Sequence, residues 1–196
     1  KPAPIQVTWL GYSSTTGISE MDYIICDNIS LPQRDEKWFV ERPLRMERSY
    51  YCFSDPVDNE IKIDETIYSK GYINFGCFNN VKKLNDEVLD VWSEILRKSP
   101  ESYLYLKSKY YKDHDIKQDI QDHFSENGVD KERIKFLEQS SREEYLKAYN
   151  LIDIALDPFP YPGGTTTCET LYMGTPVISM TGNDFLSRNG ENILRN

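Results

Sequence analysis

Four cysteines and two histidines in 196 residues leave several chemistries without material. Cys26, Cys52, Cys77 and Cys168 lie far apart with no C-x-x-C pair, which speaks against a zinc knuckle and against a disulfide framework. Each is expected to serve as a small buried hydrophobe. His114 and His123 cannot be assembled with a serine or cysteine into a nucleophilic triad or dyad. Asp113-His114-Asp115 has the D-x-D form of some metal sites, but it stands where a helix begins, so capping is its expected role. His123 is expected on an exposed face. No apolar run approaches the roughly 20 residues needed to cross a bilayer, and Lys1-Pro-Ala-Pro4 does not open a signal peptide. Positive charge is also short. A net charge of −9 argues against non-specific binding of nucleic acid or of an anionic membrane, while leaving room for a local cationic pocket. There are no internal repeats, no low-complexity segments, no G-x-G-x-x-G dinucleotide turn and no glycine loop followed by the lysine of a P-loop.

What remains is an ordinary globular composition, 39% hydrophobic and 28% charged, in a chain long enough for one domain or one domain plus part of another. It has no initiator methionine and reads as a piece of a longer protein. Residues 3–10 and 21–27 predict two short strands joined by the loop Gly11-Tyr-Ser13-Ser14-Thr15-Thr16-Gly17, which by itself reads as a plain turn. Residues 35–46 predict a partial helix up to Pro43, and 50–53 a short strand. The acidic and small residues of 55–65 predict a solvated linker, so we divide the chain into residues 1–60 and 61–196. From residue 71 the pattern becomes regular. Strands are expected at 72–75, 102–106, 133–137, 152–156 and 176–180, with helices at 85–98, around 116–124 and at 141–149 between them. Strands alternating with helices imply an α/β fold with a Rossmann-like, doubly wound parallel sheet.

The stretch 153–180 organises the chain. An apolar strand runs into Asp157-Pro-Phe-Pro-Tyr161-Pro162, whose prolines forbid both ladder and helix. Gly163-Gly164 lets the backbone turn close to a ligand, and Thr165-Thr166-Thr167 opens a helix that ends at Gly174. Unpaired N–H groups at such a helix start suit a phosphate, and the carboxyl edge of a parallel sheet is where these folds bind ligands. Glu169 could take ribose hydroxyls. The alternative is that Thr166-x-x-Glu169 is a capping box, with Glu169 bonding back to the helix start. Phe78-Asn79-Asn80-Val-Lys82-Lys83 should reach the same edge, either to neutralise a diphosphate or as solvated loop charge.

Asp157-Pro-Phe-Pro-Tyr161, Gly163-Gly164-Thr165-Thr166-Thr167, Leu171-Tyr-Met-Gly174-Thr-Pro176-Val177 and Ser187-Arg188 resemble the catalytic region of the O-linked N-acetylglucosamine transferases and their SPINDLY-type relatives, bacterial members above all. The likeness extends along most of the chain. It implies the second lobe of a two-lobed GT-B glycosyltransferase, preceded by the tail of the first lobe. By the resemblance, Asn80 and the catalytic Lys83 contact the pyrophosphate of UDP-N-acetylglucosamine, and Gly164, Thr165, Thr166 and Glu169 hold the diphosphate and ribose. Arg142, Tyr145 and the backbone near Ser140 meet the uracil. Gly164 stands where animal enzymes often carry a histidine, and Ser13-Ser14 replace the usual Pro-Gly of the first-lobe loop. The implied reaction moves N-acetylglucosamine to a protein Ser or Thr, with no metal and no cofactor, in the cytoplasm, by an enzyme typically associated with TPR repeats. The family's essential histidine has no counterpart in this chain, so the isolated piece is expected to be inactive. Two alternatives stand beside this: O-fucosylation from GDP-fucose, as in plant SPINDLY proteins, and a nucleotide-binding module without turnover.

Overall fold

The computed structural model describes residues 1–56, 61 and 71–196. The linker expected at 55–65 falls largely outside them. Two parallel sheets organise the described residues. The first joins β1 (Val7–Thr8), β2 (Tyr23–Cys26) and β3 (Arg42–Arg45) in that order. The second holds β4 (Asn74–Cys77), β5 (Tyr103–Lys107), β6 (Ile134–Leu137), β7 (Ile154–Leu156) and β8 (Val177–Ile178), ordered β6-β5-β4-β7-β8. The helices are α1 (Asp86–Lys98), α2 (His114–Glu126), α3 (Arg142–Lys147), α4 (Thr165–Tyr172) and α5 (Asn189–Arg195).

The second sheet follows from the sequence. Every residue of β4 is buried, as a central parallel strand requires. α1 begins where the Asn85 side chain accepts from the Val88 N–H, and it buries Val88, Leu89, Trp92 and Leu96 on one face. Those side chains pack with Leu104, Leu106 and Phe124 into the main core. Asp113 caps α2 by accepting from the Asp115 N–H at 3.0 Å, the role its position suggested. At the end of α4, Gly174 takes φ +75° and the Thr175 N–H returns to the Thr170 carbonyl, a glycine-closed helix end.

The first sheet differs from expectation. Residues 33–38 form a 3-10 turn, and Arg42–Arg45 is a strand in place of the partial helix. Pro43 is tolerated because β3 is an edge: the Arg42 and Met46 N–H groups bond back to Asp22 and Cys26, while Pro43 falls at the alternate position facing away from β2. Residues 50–53 are not a strand. Tyr50 is buried through its side chain, against Phe185 at 5.2 Å and by its hydroxyl donating to Asn189 Oδ1 at 2.9 Å. Asp27, also buried, accepts from the N–H groups of Ile29, Ser30 and Tyr50 and from the Asn192 amide, so α5 and Phe185 are fastened to the first sheet. Arg188 is buried beside them and donates to Asp35 Oδ2 at 2.7 Å. Cys26 and Cys77 are buried as expected, but Cys52 is exposed because it lines the space between the sheets. His123 is half-buried, with Nε2 at 2.8 Å from Asp90 Oδ1, rather than free in solvent.

Candidate nucleotide-sugar site

In the second sheet the strand order reverses between β4 and β7. Connections leaving these neighbours diverge, which opens a crevice at their carboxyl ends. After β4, Asn80 caps the 3-10 turn Val81–Lys83 by accepting from the Lys82 N–H at 3.1 Å. The turn sends Lys82 outward and Lys83 inward. Lys83 Nζ donates to the Pro162 carbonyl at 2.8 Å and to Asn79 Oδ1 at 3.2 Å, and it sits 4.1 Å from the centre of the Tyr161 ring. Both acceptors are neutral. Burial therefore depresses the Lys83 pKa, and the charge of Asp157 opposes this only in part.

After β7 the chain turns through Gly163 into α4. A Cβ on Gly163 would lie 2.2 Å from Thr167 Oγ1 and 2.9 Å from Asp157 Oδ1, so only glycine allows this approach. Gly164 is the N-cap of α4 and offers no side-chain bond, and the first turn carries no acid. The N-terminal N–H groups of α4 are thus open to an anion. A capping box is not formed: the Glu169 carboxylate is buried and accepts from Arg142 Nη2 at 2.6 Å instead. The capping box that does form is Ser141 with Glu144, at the start of α3.

Two cavities flank these elements. One, of about 540 Å³, lies between the sheets and is lined by Lys83, Gly164, Thr165 and Thr166 on one side and by Ser13, Ser14 and Tyr51 on the other. The second, of about 440 Å³, lies over the ends of β4, β5 and β6 and is lined by Asn80, Lys107, Ser140, Arg142 and Tyr145. Its wall is aromatic: Phe78 and Tyr145 line it with ring centres 5.9 Å apart, the buried Tyr149 backs Phe78 at 4.4 Å, and Arg142 stands 5.6 Å above the Tyr145 ring. A flat ring with polar edges suits such a wall.

The structure thus brings Lys83, Gly164, Thr165 and Thr166 to one cavity and Asn80, Ser140, Arg142 and Tyr145 to the other. Glu169 lies behind them, reached through Arg142. Asn79, Asp157 and Tyr161, which stand in the quoted motifs without being expected as site residues, touch this machinery. A carboxylate closing an apolar strand was the available signal for Asp157. Among the described residues, no group of three or more His, Cys, Asp or Glu side chains could hold a metal ion, and no helix is long and apolar enough to cross a membrane.

Two parallel sheets facing one cleft, with an open helix end and a lysine at the switch point of the second, are the arrangement of a GT-B fold. The chain belongs to glycosyl transferase family 41, which it matches over residues 1–57 and 65–195. It is 38% identical over 99% of its length to a rice (Oryza sativa subsp. japonica) protein named "Probable UDP-N-acetylglucosamine--peptide N-acetylglucosaminyltransferase SPINDLY", of which it spans 21%. The corresponding SPINDLY protein of tomato (Solanum lycopersicum) is 36% identical over the whole chain, again across 21% of its own length. A solved mutant of the Thermobaculum terrenum O-GlcNAc transferase superposes with a TM-score of 0.88 at 35% identity, covering 99% of this chain and 36% of that one. The chain therefore spans about a fifth of the curated relatives it matches.

Proposed function

We propose that this chain is the nucleotide-sugar half of a protein O-GlcNAc transferase, binding the UDP moiety of UDP-N-acetylglucosamine while the whole protein, in the cytoplasm, transfers the sugar to Ser or Thr of a protein acceptor. The observation that carries the reading is the convergence of Lys83 and the uncapped start of α4 on one cavity between the sheets. When the glycosidic bond to the diphosphate breaks, negative charge grows on the departing phosphate oxygens. An ammonium held by neutral acceptors and a row of helix N–H groups are already aimed there, and they need not reorganise as the charge develops. Lys83 is the catalytic group in this sense. Gly164, Thr165 and Thr166 hold the diphosphate, with Asn80 at its flank. Glu169 takes the ribose through hydroxyls that share it with Arg142. The uracil lies in the aromatic cavity against Tyr145, met by Arg142 and the backbone at Ser140. Divalent metal has no part, because lysine and helix end supply the positive charge.

Calorimetry of UDP against the purified chain, with and without EDTA and with GDP as competitor, tests this reading. UDP is expected to bind weakly, unaffected by the chelator, and to resist displacement by GDP. Stronger binding of GDP would favour the fucosyl donor, and affinity that vanishes with EDTA would contradict the metal-free site.

A further inference from the structure

Lys83 is not placed by its own loop alone. Its three ammonium protons meet two protein acceptors, the Pro162 carbonyl and Asn79 Oδ1, which leaves one direction open toward the cavity. The Asn79 side chain is itself fixed. It is 4% exposed, and its Nδ2 donates to Asp157 Oδ1 at 3.3 Å. A carboxylate can only accept and an ammonium can only donate, so the Asn79 amide has one orientation that satisfies both neighbours. Asp157 in turn accepts from Thr167 Oγ1 at 3.1 Å on each carboxylate oxygen. Thr167 lies in the first turn of α4.

We propose that Asp157 and Asn79 are positioning residues that lock Lys83 and the first turn of α4 into one unit, so that both meet the same diphosphate. The two phosphate-binding elements leave different strands, and the other bonds from the loop after β4, Lys83 Nζ to the Pro162 carbonyl and Asn85 Nδ2 to the Phe159 carbonyl at 3.0 Å, end on the segment before α4 and not on the helix itself. Asp157 sits between them: through Asn79 it sets the direction of the Lys83 ammonium, and through Thr167 it holds the helix start. Burial raises the Asp157 pKa, a cost offset first by the Thr167 hydroxyl. A carboxylate kept in so costly a place, where an apolar residue would pack, is accounted for by the two elements it joins. The proposal rests on the UDP reading above.

A double-mutant cycle with Asn79→Ala and Lys83→Ala tests it, with UDP and uridine as probes. If Asn79 acts through Lys83, Asn79→Ala should weaken UDP binding about fivefold in the otherwise natural chain and not at all in the Lys83→Ala background. Uridine, which carries no phosphate, should bind all four proteins alike. Asn79→Ser serves as a second variant should the alanine chain unfold, with the same expectation. Equal losses in both backgrounds, or a loss for uridine as large as for UDP, would overturn the positioning role and leave Asn79 a packing residue. Absence of UDP binding by the natural chain would instead sink the nucleotide reading itself.

Discussion

Replacing Lys83 by alanine should cost far more UDP affinity than replacing Lys82, although the two are adjacent. The 3-10 turn Val81–Lys83 makes them point in different directions. Lys83 is half-buried, with Nζ bonded to Pro162 and Asn79 and resting over Tyr161. Lys82 is exposed and lies 5.6 Å from the Tyr110 ring. A charge-assisted hydrogen bond to a phosphate is worth about 1.5–3 kcal/mol, so Lys83→Ala should weaken UDP roughly 10- to 150-fold. Lys82→Ala should remove only long-range attraction, less than about twofold and fading with added salt. The double substitution should match Lys83→Ala alone. The same burial gives a second readout, on stability. Desolvation lowers the Lys83 pKa below its unfolded value, so the folded chain carries a cost at neutral pH that is relieved as pH rises through the lowered pKa toward 10.5. Lys83→Met keeps the stem and removes the charge, so it should leave the thermal midpoint of the ligand-free chain unchanged or higher while abolishing most UDP affinity. Calorimetry and thermal unfolding in two salt concentrations read all of this. Equal losses from the two single alanine variants, both erased by salt, would show that the lysines act as diffuse charge and that Lys83 contacts no phosphate.

Two further outcomes follow from the same geometry. Gly163→Ala would force a methyl group to 2.2 Å from Thr167 Oγ1, and overpacking of this kind costs about 1–3 kcal/mol, which a lowered urea midpoint should report; an unchanged midpoint would mean the β7–α4 loop is looser than described. Incubated with UDP-N-acetylglucosamine and a Ser/Thr peptide, this chain should release no more product than a blank, since it spans about a fifth of its curated relatives; clear turnover would show that these residues hold every group the transfer needs, with no histidine from outside them.

The parts of this molecule that follow from local pattern were legible in the sequence. The apolar stripe of α1 and the alternation of buried strands with helices pointed to the doubly wound sheet, while Asn85, expected inside the helix, is its cap. β3 was not legible, because Pro43 reads as a breaker until it is known to stand at a sheet edge, and edges are set by the tertiary fold. Tyr50 was misread for a similar reason: its burial comes from Phe185 and Asn189, some 139 residues away, and not from a ladder. Within the site, Lys83, Thr165 and Thr166 stand out by residue type in a loop or at a helix start. Glu169 carried two readings, and its partner Arg142 lies 27 residues earlier on another helix, so no local rule could choose between them. Asn79 and Asn80 are neighbours of one type. Only the direction of the 3-10 turn makes one a cap for Lys82 and the other a ligand of Lys83.

The central claim is that the diphosphate sits where Lys83 meets the start of α4. Amide chemical-shift mapping during a UDP titration of the isotope-labelled chain tests it most directly. The account predicts the largest shifts at the Thr165 and Thr166 amides, smaller ones near Tyr145 and Arg142, and loss of the Thr165 and Thr166 response when uridine replaces UDP. Shifts concentrated in the Gly11–Gly17 loop or on α2, with Thr165 and Thr166 silent, would contradict it.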